Sequence, residues 1–180
     1  GCSVTQQQVE KEIERCIITM SEDQFDSEEK IDVSNLAVGI EKLLLDKKLL
    51  NDRDPAAYQN LFNLLNEEKI DSTELEKVMQ DFYQKNFDII HNAALYAIEY
   101  ACVVDTKEKF PELFETTESL QTLYQSFEEL KKTNDLGVFV TSITDAIPNA
   151  EFQEKIVYRV PVITAMYSIM EQTYSRNRNQ

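Results

Sequence analysis

Two charged residues stand inside otherwise apolar helical runs: Glu99 in Leu95-Tyr96-Ala97-Ile98-Glu99-Tyr100-Ala101, and Arg159 in Ile156-Val157-Tyr158-Arg159-Val160-Pro161. If the two helices pack together, a carboxylate and a guanidinium ringed by Tyr96, Tyr100 and Tyr158 can form a polar pocket, with His91 one helical run upstream. Such a pocket could hold a small ligand or lend a carboxylate to chemistry. The alternatives are a purely structural ion pair, since a buried charge without a partner costs several kcal/mol, and two side chains that face solvent. All three readings stay open at the level of sequence.

Other catalytic constellations fail on spacing or count. A Cys-His dyad needs thiol and imidazole in contact, but His91 and Cys102 lie eleven residues apart, roughly 16 Å along one continuous helix. His91 with Cys16 is geometrically open, although a single histidine among apolar residues reads first as a hydrogen-bonded core member. A di-iron bundle site needs two Glu-x-x-His motifs, and the chain has one histidine. Only three glycines occur, Gly1, Gly39 and Gly137, so no phosphate cradle, dinucleotide fingerprint or nucleophile elbow can be written. The segments around Ile31 and Ile70 resemble calcium-loop cores. Their ligand positions hold Asn63, Leu65 and Glu68, or Gln24 and Asn35, where the loop needs acids and a glycine. No catalytic residue, metal site or cofactor is expected, and the chain reads as a non-enzyme.

The elements that must carry these residues are helical nearly throughout. Val9, Ile13, Cys16, Ile17 and Met20 recur at spacings of three and four, predicting a helix over about 4–20, and a second apolar face predicts one over about 33–50. Asp54-Pro55 pairs a capping side chain with a proline suited to the first helical position, so a third helix should cover about 55–67. Asp71 with Glu74, or Thr73 with Glu76, resembles a capping box before a long helix over 72–104. Asn86 and Asp88 are its weakest helix formers and mark where it can break. Pro111 opens another helix to about Asn134, with Gly137 as a cap or turn. Val138 to Thr144 reads as a short buried helix ending before Pro148, and Pro161 should kink the last helix or start a new one at Val160. Ser175 to Gln180 reads as a polar tail.

These patterns predict an all-α, single-domain bundle of six to eight helices over residues 1–180, packed around 72–104. Two-helix repeat character is an alternative. Glu28-Glu29-Lys30-Ile31-Asp32 recurs 39 residues later as Glu67-Glu68-Lys69-Ile70-Asp71, near the period of helix-pair repeats, which would make the chain a repeat-type scaffold. The other reading is two similar acidic segments that each start a helix.

Thirty-three acids against 18 bases give a net charge of −15, and both halves are acidic. That field opposes nucleic-acid phosphates and anionic lipid and favours a basic protein partner. The three cysteines show no metal spacing, and an odd count argues against a complete disulfide framework. Cys16 and Cys102 read as small core residues. Gly1-Cys2-Ser3 can mark the lipid-bearing cysteine of a bacterial lipoprotein after signal removal, an N-myristoylation start with Cys2 for palmitate, or nothing. The first is the reading taken, with residues 1–5 as tether and Cys2 as lipid attachment. No apolar run is long enough to cross a membrane.

The expectation is therefore an acidic, lipid-anchored extracytoplasmic binding protein of the immunity type, neutralising a basic partner. Its rivals are a small-ligand carrier or enzyme with a pocket around Glu99 and Arg159, the repeat scaffold, and a soluble cytoplasmic location.

Overall fold

A computed structural model describes residues 3–24, 32–85 and 92–179. Cys2, His91, Asn86 and Asp88 lie outside them. The described chain is all helix: α1 Gln6–Gln24, α2 Val33–Asp46, α3 Pro55–Asn66, α4 Ser72–Gln84, α5 Asn92–Lys109, α6 Pro111–Thr116, α7 Glu118–Thr133, α8 Leu136–Ala146, α9 Asn149–Glu154 and α10 Ile156–Arg178. This is an all-α, single-domain bundle, with ten helices among the described residues.

Aspartates set most of the starts that the sequence announced. Asp54 accepts from the Ala57 amide at 2.7 Å with Pro55 behind it, and Asp71 accepts from the Thr73 amide at 2.7 Å. Asp32 and Asp135 cap α2 and α8 in the same way. Each supplies an acceptor to amides that have no partner inside the helix. The recurring Glu-Glu-Lys-Ile-Asp therefore ends both times on a helix cap. The helices that follow, α2, α3, α4 and α5, all pack on α10, and the end of α2 also meets α4 through Lys47 and Asp81 at 2.7 Å.

Helix ends use left-handed residues other than glycine. Lys48, Glu68 and Asn134 have φ of 59°, 55° and 53°, and Leu49 and Lys69 donate back to Leu44 and Leu64 at 3.0 and 2.9 Å, the six-to-one bond that closes a Schellman end. Gly137 is not the expected cap. It lies in the first turn of α8, where a Cβ would sit 2.7 Å from the Phe62 ring. Its role is the close approach of α3 to α8.

Further along the chain the boundaries and the centre differ from the expected ones. The stretch 72–104 divides near the weak point expected of it: α4 ends at Gln84 with Lys85 as its cap, and α5 begins at Asn92. The helix expected from Pro111 to Asn134 breaks at Thr117, whose φ of −105° and ψ of 111° are extended. The centre of the bundle is α10, which contacts α1, α2, α3, α4, α5, α8 and α9. Its residues Val157 to Ser168 are all buried, so it carries no polar face, as expected of a helix enclosed on every side. It begins five residues before Pro161, runs through it, and takes in Ser175 to Arg178 of the expected tail.

Candidate functional site

Because Val157 to Ser168 of α10 is enclosed, the polar side chains on that stretch must find partners in the core. Arg159, 8% exposed, does not meet Glu99. Its Nε donates to Glu41 Oε2 at 2.8 Å, and Nη1 donates to the carbonyls of Phe152 and Gln153 at 3.2 and 2.7 Å, closing the end of α9. Glu41, itself buried, also accepts from the Tyr58 hydroxyl at 2.6 Å and faces Arg53 at 3.4 Å. Burial and the Glu41 charge push the Tyr58 hydroxyl well above the usual phenol range.

One residue earlier, the Tyr158 hydroxyl donates to Glu10 of α1, which Lys155 approaches at 3.1 Å. Burial, then the bond to Glu10, raises Tyr158 far above its ordinary value. Glu151 adds bonds to Gln6 at 2.7 Å and to Ser119, tying α9 to α1 and α7. Two buried carboxylates thus each have a cation and a phenol beside them. This cluster joins α1, α2, α3 and α9 to α10 and engages the Arg159 guanidinium with Glu41 and the end of α9.

Glu99 stands apart from it. The residue is 1% exposed, Thr164 Oγ1 of α10 reaches its Oε2 at 3.4 Å, and Oε1 has no hydrogen-bond partner among the described residues. Burial pushes this carboxyl up to about 8, so it is mostly protonated at neutral pH. One turn away the Tyr96 and Ser168 hydroxyls share a hydrogen bond of 3.0 Å.

Of the six residues expected around one pocket, Tyr96 and Tyr100 share an actual cleft. Its volume is about 480 Å³, and Ala97, Phe127, Leu130, Lys131, Asn134, Leu136, Ser168 and Gln172 complete its walls between α5, α7, α8 and α10. Tyr158 and Arg159 belong to the buried cluster, Glu99 lies in the core between α5 and α10, and His91 is outside the described residues. The Tyr100 hydroxyl donates to Glu128, a bond that raises it to about 12, and its ring packs 6.0 Å from Phe127.

The cysteines depart from expectation. Cys16 and Cys102 form a disulfide between α1 and α5, with Cα atoms 5.6 Å apart. An odd cysteine count excludes full pairing and nothing more, and both residues occupy the apolar faces foreseen for them. Neither thiol is free, which removes the dyad of His91 with Cys16. No helix among the described residues is long and apolar enough to cross a membrane.

Sequence reasoning missed Glu10, Glu41, Tyr58 and Lys155. Glu41 carried the same signal as Glu99, a charge on the stripe Ala37, Ile40, Leu44. Glu10 likewise precedes Ile13 and Ile17 at helical spacing. Comparison with family models, curated proteins and solved structures gives no match.

Proposed function

We propose that the chain is a non-enzymatic binding protein that works outside the cytoplasm, tethered through a lipid on Cys2, and that it holds a basic protein partner against its acidic helical surface. The observation that carries this reading is the Cys16–Cys102 bridge. Disulfides form and persist in oxidising compartments and are rare where glutathione keeps thiols reduced. With those two cysteines paired, Cys2 is the remaining cysteine in the sequence. Non-enzymatic action fits the buried carboxylates Glu10 and Glu41, which are occupied in holding helices together. A basic partner fits the exposed acids, which gather at two corners: Glu67, Glu68, Asp71, Glu74 and Glu76 near the start of α4, and Asp105, Glu108, Glu112, Glu115 and Glu118 from α5 to α7. An immunity-type protein that neutralises a basic toxin is the concrete version.

The test is mass spectrometry of the protein isolated from its own source, with thiols alkylated before and after reduction. The expected result is an acylated Cys2 peptide, with Cys16 and Cys102 labelled only after reduction. Labelling of Cys16 and Cys102 without reduction would remove the compartment argument. For the partner, cross-linking in the same membranes should trap a basic protein. The triple reversal Glu112→Lys, Glu115→Lys, Glu118→Lys should release it, and persistence of the cross-link would place the contact elsewhere.

A further inference from the structure

The cleft between α5, α7, α8 and α10 has a character unlike the rest of the surface. None of its ten lining residues is an acid, in a chain with 33 of them, and one, Lys131, is a cation. The walls are ring faces and aliphatic chains from Tyr96, Tyr100, Phe127, Leu130 and Leu136. The tyrosine hydroxyls are already engaged, Tyr96 by Ser168 and Tyr100 by Glu128, so the rings offer the cleft apolar surface more than donors. Lys131 has no ion pair within 4 Å among the described residues, although its Nζ lies 5.5 Å from the Tyr100 ring centroid. The side-chain amides of Gln172 and Asn134 make no hydrogen bond among the described residues, which leaves them free to meet a polar head. Glu128, the carboxylate beside this wall, is turned into the Tyr100 hydroxyl.

We propose that this cleft binds a small organic carboxylate with an apolar body, the chain or ring lying along Tyr96, Phe127 and Leu136 and the carboxylate facing Lys131. The volume of about 480 Å³ falls within the range of small-molecule sites, which pair apolar walls with a few polar groups that fix orientation. The sign of the head follows from electrostatics. An anion gains Lys131 and meets no acid in the lining; Glu128, just outside it, is tied to the Tyr100 hydroxyl, which holds its carboxyl below the usual range. A cation would face Lys131 and gain no lining acid in return. This binding requires neither the lipid on Cys2 nor the basic partner, so the two proposals stand or fall separately.

Decanoate, decan-1-ol and decylammonium are the probes, titrated calorimetrically below their aggregation concentrations into the full chain and two variants. Ala97 is exposed and lines the cleft, so Ala97→Trp fills the site without touching the core, with thermal melting as the check on folding. Lys131→Met keeps the aliphatic stem and removes the charge. The expected pattern is one-to-one decanoate binding, weakened at least tenfold by Ala97→Trp. Lys131→Met should weaken decanoate about fivefold, in keeping with a partly exposed ion pair, and leave decan-1-ol unchanged. Decylammonium should bind least. Absence of decanoate binding overturns the proposal, as does decanoate binding that Ala97→Trp leaves intact. Equal binding of all three probes with no response to Lys131→Met overturns the carboxylate assignment.

Discussion

Two of the buried carboxylates that neighbours bring to helix α10, Glu41 and Glu99, meet two different solutions. Near its start Glu41 meets Arg159, Tyr58 and Arg53. A turn and a half further on Glu99 meets only the Thr164 hydroxyl, and one of its oxygens has no hydrogen bond among the described residues. At the first place the charge is kept and compensated. At the second it is given up, and burial raises the carboxyl to about 8. The first arrangement fixes which helices meet, because a guanidinium fork and a carboxylate accept few geometries. The second fixes little and leaves that end dependent on pH and on the covalent bond three residues along α5, at Cys102.

The largest expected effect tests the compensated end. Arg159→Met leaves Glu41 buried with its main counter-charge gone and should cost about 3–5 kcal/mol, read as a shifted urea midpoint. The double variant Arg159→Met with Glu41→Leu should regain most of that loss, since replacing a whole buried pair by apolar groups is often neutral. If the double variant is as unstable as the single, the pair is not the unit that matters. Next, the pair Cys16→Ala and Cys102→Ala opens an 86-residue separation and should cost about 2–4 kcal/mol. Hydrogen exchange should rise in α1 and α5 before it does in α2. Uniform loss across both ends would erase the contrast between them.

Glu99→Gln should act in the opposite direction. Between about 4.5 and 8 the native state holds a proton that the unfolded chain has released, so stability falls as pH rises through that interval and levels off above it. Linkage sets a ceiling of a few kcal/mol, and the Gln amide is itself incompletely partnered. The variant should therefore be more stable than the parent by roughly 2 kcal/mol at pH 8 and close to it at pH 5. Urea titrations of both proteins at pH 5, 6.5 and 8 give the difference, and a gap that does not widen with pH would mean Glu99 does not carry the proton.

The contrast also separates what was legible in the residues from what was not. Helix class and most starts were readable because they depend on local periodicity and on Asp54, Asp71 and Pro111. Glu99 as an anomaly was readable too, since a charge inside Tyr96 to Ala101 stands out at any fold. Its partner was not. Choosing between Arg159 and solvent needs the rotation of α5 about α10, and a side chain's direction is a tertiary outcome that spacing along one helix does not encode. The same holds for Cys16 and Cys102. Each apolar face was visible, but their approach depends on α1 and α5 lying side by side. Mistaking 72–104 for the central helix has a simpler cause. Its apolar stripe is plain on paper, whereas Val157 to Ser168 of α10 is buried on all faces and so shows no stripe.

The smallest effects sharpen the comparison by removing the same group at each end. Tyr58→Phe deletes a hydroxyl that donates to the Glu41 carboxylate at 2.6 Å, and Tyr96→Phe deletes one shared with the neutral Ser168 at 3.0 Å. A hydrogen bond to a charged group contributes more than one between neutral groups. Tyr58→Phe should therefore cost about 2 kcal/mol and Tyr96→Phe about 1 kcal/mol. Both changes keep the ring, so packing terms largely cancel and the difference reports the acceptor's charge. Equal losses would mean that the Glu41–Arg159 ion pair adds nothing to the bond, and the distinction between the two ends of α10 would collapse. A loss at Tyr58 that exceeds the one at Tyr96, and that disappears in the Glu41→Leu, Arg159→Met background, would locate the difference in the ion pair itself.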